Sequence, residues 1–114
     1  MEHFFEANRN AWNLRTGVHL DSKFYDVERW KKHRNSLTEL DEVGPVAGRS
    51  LLHLQCHFGQ DTLSWAHRGA QATGCDLSDA AIDAARRLAA ETGLPGRFVC
   101  CNVYDLPDCL DDRF

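Results

Sequence analysis

The stretch from Leu51 to Asp76, LLHLQCHFGQDTLSWAHRGAQATGCD, constrains the fold more than any other part of the chain. An apolar run (Leu51, Leu52, Leu54) ends in a short polar turn that holds Gly59. Leu63, Ala66 and Trp65 then fit a helix that ends at Gly69. A second run of small residues, Ala72 to Cys75, stops at Asp76. Strand, turn, helix, turn, strand is the unit that lets two strands pair in parallel. The tip of the first strand opens onto a helix N-terminus, and a carboxylate sits at the tip of the second. Open α/β sheets take ligands at such strand ends, and a nucleoside-like ligand would lie across both.

The rest of the chain extends this unit at both ends. Glu2 to Arg15 predicts a helix with Phe4, Phe5, Ala11 and Trp12 as an apolar stripe, ended by Arg15-Thr16-Gly17. Asp21-Ser22-Lys23 would cap a second helix through Phe24, Val27 and Trp30. Ser36 to Val43 predicts a short helix with Ser36 and Glu39 spaced as a capping box, broken at Gly44-Pro45. The first strand is expected over Arg49 to Gln55, covered on both faces because its apolar residues do not alternate cleanly. After Asp76, Ser78 would cap a helix that buries Ala81, Ile82, Ala85, Leu88 and Ala89, with Gly93 past its end. Arg97 to Asn102 reads as a third strand and Pro107 to Asp112 as an acidic loop or single turn. There is no internal repeat.

Composition excludes several classes. A hydrophobic content of 43% supports a packed core rather than disorder. No segment has the length of a membrane span, and the N-terminus lacks the basic-then-apolar pattern of a secretory signal. A net charge of -4 argues against a nucleic-acid partner. The one basic cluster, Arg29 to Arg34 (RWKKHR), includes Trp30 and would permit base stacking, but a solvated helix face is the simpler reading. The five cysteines (Cys56, Cys75, Cys100, Cys101, Cys109) are irregularly spaced and lie mostly in apolar runs. They suit reduced core thiols and a cytoplasmic location better than a disulfide framework, and no C-x-x-C pairing marks a metal site.

The turn after the first strand resembles the first motif of the class I methyltransferases that use S-adenosyl-L-methionine, and is closer to a subfamily with a HLQCHFGQDT-like turn. The resemblance extends over Asn8 to Trp12 (NRNAW), Tyr25, Gly74 to Ser78 (GCDLS) and Cys101 to Pro107 (CNVYDLP). It implies an α/β fold: a Rossmann-like three-layer αβα architecture. The first three strands of a partial parallel sheet would be ordered 3-2-1 and preceded by N-terminal helices. Residues 1–46 would form a helical lid or cap, and residues 47–114 the N-terminal half of a cofactor-binding domain.

Methyl transfer from a sulfonium asks the protein mainly to hold donor and acceptor in line. The resemblance implies that Gln55, Cys56, His57 and Gly59 approach the cofactor after the first strand. Most such families have glycine where this chain has Gln55 and His57, so these side chains would instead bond the amino or carboxylate group. Asp76 would accept both ribose hydroxyls, with Leu77 against the adenine or ribose face. Asn102 would bond the adenine amino group, and the Val103 backbone a ring nitrogen. Trp12, His19 and Tyr25 would belong to the lid.

Each position also has an ordinary structural role open to it. Asp76 could serve a helix dipole, Asn102 a turn, Gln55 a strand end, His57 a surface turn and the aromatic residues a core. No carboxylate is placed by the sequence to make His57 a general base, and no catalytic residue is readable. A nicotinamide dehydrogenase is disfavoured, because the turn lacks the G-x-G-x-x-G glycines that admit a pyrophosphate.

The resemblance further implies a fourth strand beside the first. Without one, Leu51 to Leu54 would be an open apolar edge prone to association. The expected partners are therefore a small-molecule acceptor, and either a second copy of the chain or a complementary C-terminal half. The alternative is a catalytically inactive relative that acts as a scaffold through that edge.

Overall fold

The computed structural model describes residues 2–20, 26–37, 40–110 and 114, with the backbone alone at 2, 17–20, 40 and 41. Helices α1 (Glu2–Leu20), α2 (Val27–His33) and α3 (Leu40–Val43) precede β1 (Ser50–Leu54), α4 (Gln60–His67), β2 (Gln71–Asp76), α5 (Asp79–Thr92) and β3 (Gly96–Cys100). A 3-10 turn over Val103–Asp105 leads into α6, Leu106–Cys109. The sheet is parallel with order β1-β2-β3, which is the expected 3-2-1 arrangement read from the other edge. Two strand-helix-strand crossovers therefore share β2, and the architecture is Rossmann-like αβα.

Register decides which side chains meet. Leu51 pairs with Ala72, and His53 with Gly74, which in turn pairs with Phe98. Alternation puts this row on one face. There Phe98 joins Leu63, Ile82, Ala85, Leu88 and Cys56 in the main core, and Leu51 packs on Trp65, Leu37, Val46 and Ala70. Burying each large apolar side chain contributes about 1.5–3 kcal/mol, so α4 and α5 bind this face strongly. The opposite row holds Leu52, Leu54, Thr73, Cys75 and Val99. Cys75 and Thr73 are buried there, whereas Leu54, on the edge strand, is 47% exposed.

Close packing explains three glycines, and one ring is common to all of them, with Cys56 nearer still at Gly74 and Leu63 at Gly96. A Cβ on Gly59 would stand 2.8 Å from the Phe98 ring, and one on Gly74 or Gly96 would stand 3.0 Å from it. Gly59 also has φ +86°, a conformation that side chains disfavour.

The helix reading holds best for α5. Ser78 Oγ accepts from Ala81 N at 3.1 Å, Gly93 closes the helix at φ 69°, and Ala81, Ile82, Ala85, Leu88 and Ala89 are all buried. Two expectations about α1 need correction. Helix α1 does not stop at Arg15-Thr16-Gly17 but runs to Leu20. Thr16 is buried and bonds the Trp12 carbonyl at 2.8 Å, so it sits within the helix rather than ending it. The apolar stripe of α1 is also incomplete, because Phe4 is exposed while Phe5, Ala11 and Trp12 are half-buried. The capping box expected of Ser36 and Glu39 falls partly outside the described residues, because Glu39 is not among them. The Ser36 hydroxyl donates to Asp61 and its N–H to Ser64 Oγ, both on α4, and the helix that follows begins at Leu40.

Helix α2 is capped by Asp26, whose carboxylate accepts from Arg29 N at 3.1 Å, and residues 21–25 lie outside the described residues. Trp30 is 3% exposed and donates from Nε1 to Ser64 Oγ at 2.9 Å, so it is a core anchor and offers no stacking face. Among the described residues, no helix is long and apolar enough to cross a membrane.

Candidate functional site

Parallel strands deliver their C-terminal tips to one side of the sheet, and the loops that leave those tips form a cleft of about 520 Å³. Gln55 and His57 come from the turn after β1, Asp76 and Leu77 from the end of β2, and Asn102 and Val103 from the end of β3. Helix α1 crosses above them and adds Phe5, Asn8 and Trp12, while Tyr104 closes the far wall. Seven of the ten site residues expected from the sequence thus line one cleft. A second hollow of about 540 Å³ lies at the opposite ends of the strands, around Ser50, Gln71, Gly96 and Arg97. It is the more open of the two and receives no loop from a strand tip, so the cleft is the better candidate.

The turn after β1 takes left-handed backbone at three alternate positions: Gln55 (φ 54°), His57 (φ 54°) and Gly59 (φ 86°). Left-handed backbone costs a non-glycine residue about 1–2 kcal/mol. The turn is held there by bonds on both sides. Cys56 N donates to Cys75 O at 2.9 Å, Gly59 N to Cys56 O at 3.0 Å, and His57 N to Asp76 Oδ2 at 2.8 Å. The chain therefore makes the tight turn without glycine at 55 and 57.

Asp76 is the centre of the site. Its Oδ2 accepts from His57 N and its Oδ1 from Ser78 N at 2.9 Å. A carboxylate has roughly four acceptor positions, so each oxygen keeps one for a ligand hydroxyl after these backbone bonds. Asn102 is partly committed as well. Its Oδ1 accepts from Tyr104 N at 3.0 Å and caps the 3-10 turn. The turn role foreseen for it is present.

The aromatic residues form a roof and a mouth. Trp12 meets the His57 ring edge-on at 5.7 Å, and Arg15 lies over the Trp12 ring at 5.2 Å. Phe5 and Tyr104 face each other at 6.2 Å.

Two expected residues stand behind the cleft. Cys56 is buried in the core, and its thiol is pushed well above its usual range by burial and then by the charge of Asp76. Gly59 underlies the turn against Phe98. Both border a shallow neighbouring hollow of about 200 Å³ that shares Gln55 and His57 with the cleft. Tyr25 lies outside the described residues, as does the side chain of His19.

Phe5, Asn8 and Tyr104 were not foreseen as lining residues. The i, i+3, i+7 spacing of Phe5, Asn8 and Trp12 on one helix is the signal that was available. The described residues contain no group of three or more His, Cys, Asp or Glu able to hold a metal ion.

Residues 51–114 match the methyltransferase domain family. The chain is 36% identical over 86 residues to a ubiquinone biosynthesis O-methyltransferase of Chromobacterium violaceum; the match covers 75% of the chain and 36% of that protein. It thus spans about a third of the length of this curated relative. A solved structure described as "Conversion of a Disulfide Bond into a Thioacetal Group during Echinomycin Biosynthesis" superposes with a TM-score of 0.57 at 36% identity, covering 66% of the chain and 31% of that one. The bifunctional kinase-methyltransferase WbdD superposes with a TM-score of 0.51 at 23% identity over 76% of the chain and 18% of its own, and shares the fold.

Proposed function

Because the chain belongs to the methyltransferase domain family, we propose that it is the S-adenosyl-L-methionine-binding portion of a methyltransferase acting on a small molecule. The carrying observation is Asp76, a carboxylate at a strand tip with one acceptor position left on each oxygen, opening into a cleft walled by three adjacent tips. Vicinal ribose hydroxyls are the donors such a carboxylate takes. The cofactor supplies an activated methyl on a sulfonium. This chain's part is positional. Leu77 and Val103 offer apolar contact, the Asn102 amide a donor, and Trp12 cover from water. Residues 1–46 act as the cap and residues 47–114 as the cofactor-binding unit.

The test is calorimetry with S-adenosylhomocysteine on the chain and on Asp76→Asn. Binding by the chain, weakened at least about tenfold in the variant by the loss of charge-assisted bonds, supports the reading. No heat with the unmodified chain counts against it.

A second reading rests on the edge of the sheet. Strand β1 pairs on one side only among the described residues, and Leu54 is exposed on it. Such an edge accepts a further strand, from a second copy or from a complementary C-terminal half. A catalytically inactive scaffold working through this edge would bind a partner strand and show no heat with S-adenosylhomocysteine.

A further inference from the structure

Helix α1 carries two adjacent stripes with different work. Phe5, Asn8 and Trp12 roof the cleft. Arg9, Asn13 and Thr16, one position on, do not line it. Arg9 Nε donates to Leu77 O at 3.1 Å. Asn13 Oδ1 accepts from Ser78 Oγ at 2.5 Å and from Ala80 N at 3.2 Å, while its Nδ2 donates to Asp79 Oδ1 at 2.8 Å. Ser78 caps α5 with the same hydroxyl, accepting from Ala81 N. Asn13 is therefore a second cap for α5, supplied from a different helix.

We infer that Arg9 and Asn13 are positioning residues that latch α1 to the β2–α5 turn and so set the height of the roof over the cleft. This role rests on the cofactor reading of the cleft. The latch matters because few of the described side chains of α1 are buried. Helices in proteins are kept mainly by a buried apolar face, yet Phe4 and Leu14 are 66% and 78% exposed and only Thr16 is fully buried among its described side chains. Polar bonds to one turn then decide where the helix lies. That turn carries Leu77 and follows Asp76 directly, so the latch ties the roof to the residues expected to meet the ribose. Neither Arg9 nor Asn13 touches the cleft, so any effect they have on affinity must pass through α1.

The experiment is hydrogen exchange on the chain, Asn13→Ala and Arg9→Ala without ligand, followed by S-adenosylhomocysteine titration of each. Removing the Asn13 bonds should speed exchange along α1 about tenfold or more while amides of β2 and β3 stay within about twofold, and should weaken binding about tenfold. Arg9→Ala should act in the same direction with a smaller effect, and Arg9→Lys, which keeps a donor for the Leu77 carbonyl, should recover part of it. Unchanged α1 exchange in Asn13→Ala overturns the latch. Faster α1 exchange with unchanged affinity overturns the positioning role. If the unmodified chain does not bind S-adenosylhomocysteine, the cleft reading fails and the role in affinity fails with it, while the ligand-free exchange still decides the latch separately.

Discussion

The backbone N–H of His57 donates to Asp76 Oδ2 at 2.8 Å, joining the tips of two neighbouring parallel strands through one carboxylate. The other oxygen accepts from Ser78 N at 2.9 Å, at the start of α5. One side chain thus fixes the left-handed turn after β1 and the entrance to α5 before any ligand arrives. Asp76→Asn replaces one acceptor by a donor that faces a backbone N–H. It should lower stability by about 1–3 kcal/mol, the cost of leaving a donor unsatisfied. Urea denaturation should show this as a lower midpoint at unchanged slope. A variant as stable as the parent would show that the carboxylate does not brace the turn.

Gln55 and His57 hold left-handed backbone that glycine adopts freely. Gln55→Gly should therefore change stability by no more than about 1 kcal/mol, since relieved backbone strain offsets the entropy of a freer unfolded chain. Gln55→Val, β-branched at the same φ, should destabilise by about 1–3 kcal/mol. Thermal melts of the pair would check the order. If valine is tolerated as well as glycine, the left-handed turn is not maintained in solution.

Trp30 should behave as a core anchor with a polar tip. Trp30→Phe keeps most of the apolar contact and leaves Ser64 its bond to the Gln60 carbonyl at 2.8 Å. The expected loss is about 1–2 kcal/mol, against about 3–5 for Trp30→Ala. Chemical denaturation of both variants measures the difference. A negligible effect of the alanine variant would place the indole outside the core.

Alkali should unfold the protein through its thiols. Burial pushes Cys56 well up and raises Cys101 to about 12, the latter aided by its neighbour Cys109. In the unfolded chain these thiols ionise near their ordinary value of about 8.5. Above that value the unfolded state holds fewer protons than the native state. Stability is therefore full below the ordinary thiol pKa and is lost as pH rises toward the native values. Melting temperatures should fall progressively from roughly pH 8.5 toward the native Cys101 value of about 12. At pH 8 a thiol reagent should modify the exposed Cys100 and Cys109 and spare Cys56, Cys75 and Cys101 until denaturant is added. A flat profile, or fast modification of every thiol, contradicts this arrangement.

Local chemistry made part of this molecule readable from its sequence. The buried face of α5 followed from a 3.6-residue period, and both its ends from Ser78 and Gly93. The strand tips at Gln55, Asp76 and Asn102 followed from turn residues closing apolar runs, and the sheet order from the family resemblance. What escaped was whatever depends on distant partners. Ser36 donates to Asp61 and Ser64 on α4, 25 and 28 residues away, and no local pattern announces those bonds. Asn13 carries no local pattern at all, since its partners lie about 65 residues away in sequence. The continuation of α1 past Gly17 has a local cause instead. Glycine weakens a helix by about 1 kcal/mol, and that cost does not by itself end one.

The Phe98 ring has a consequence for how such a chain can change over time. A side chain at position 59, 74 or 96 would meet the same phenyl group, together with Ala85, Cys56 or Leu63 in turn. None of the three can grow while that group stays, and shrinking it alone would open a void under all three. A smaller residue at 98 would not by itself admit a side chain, because Leu63 stands 2.6 Å from a Cβ at 96, Cys56 stands 2.9 Å from one at 74, and position 59 keeps φ +86°. The packing on this face of the sheet would then be inherited as a block rather than tuned one residue at a time.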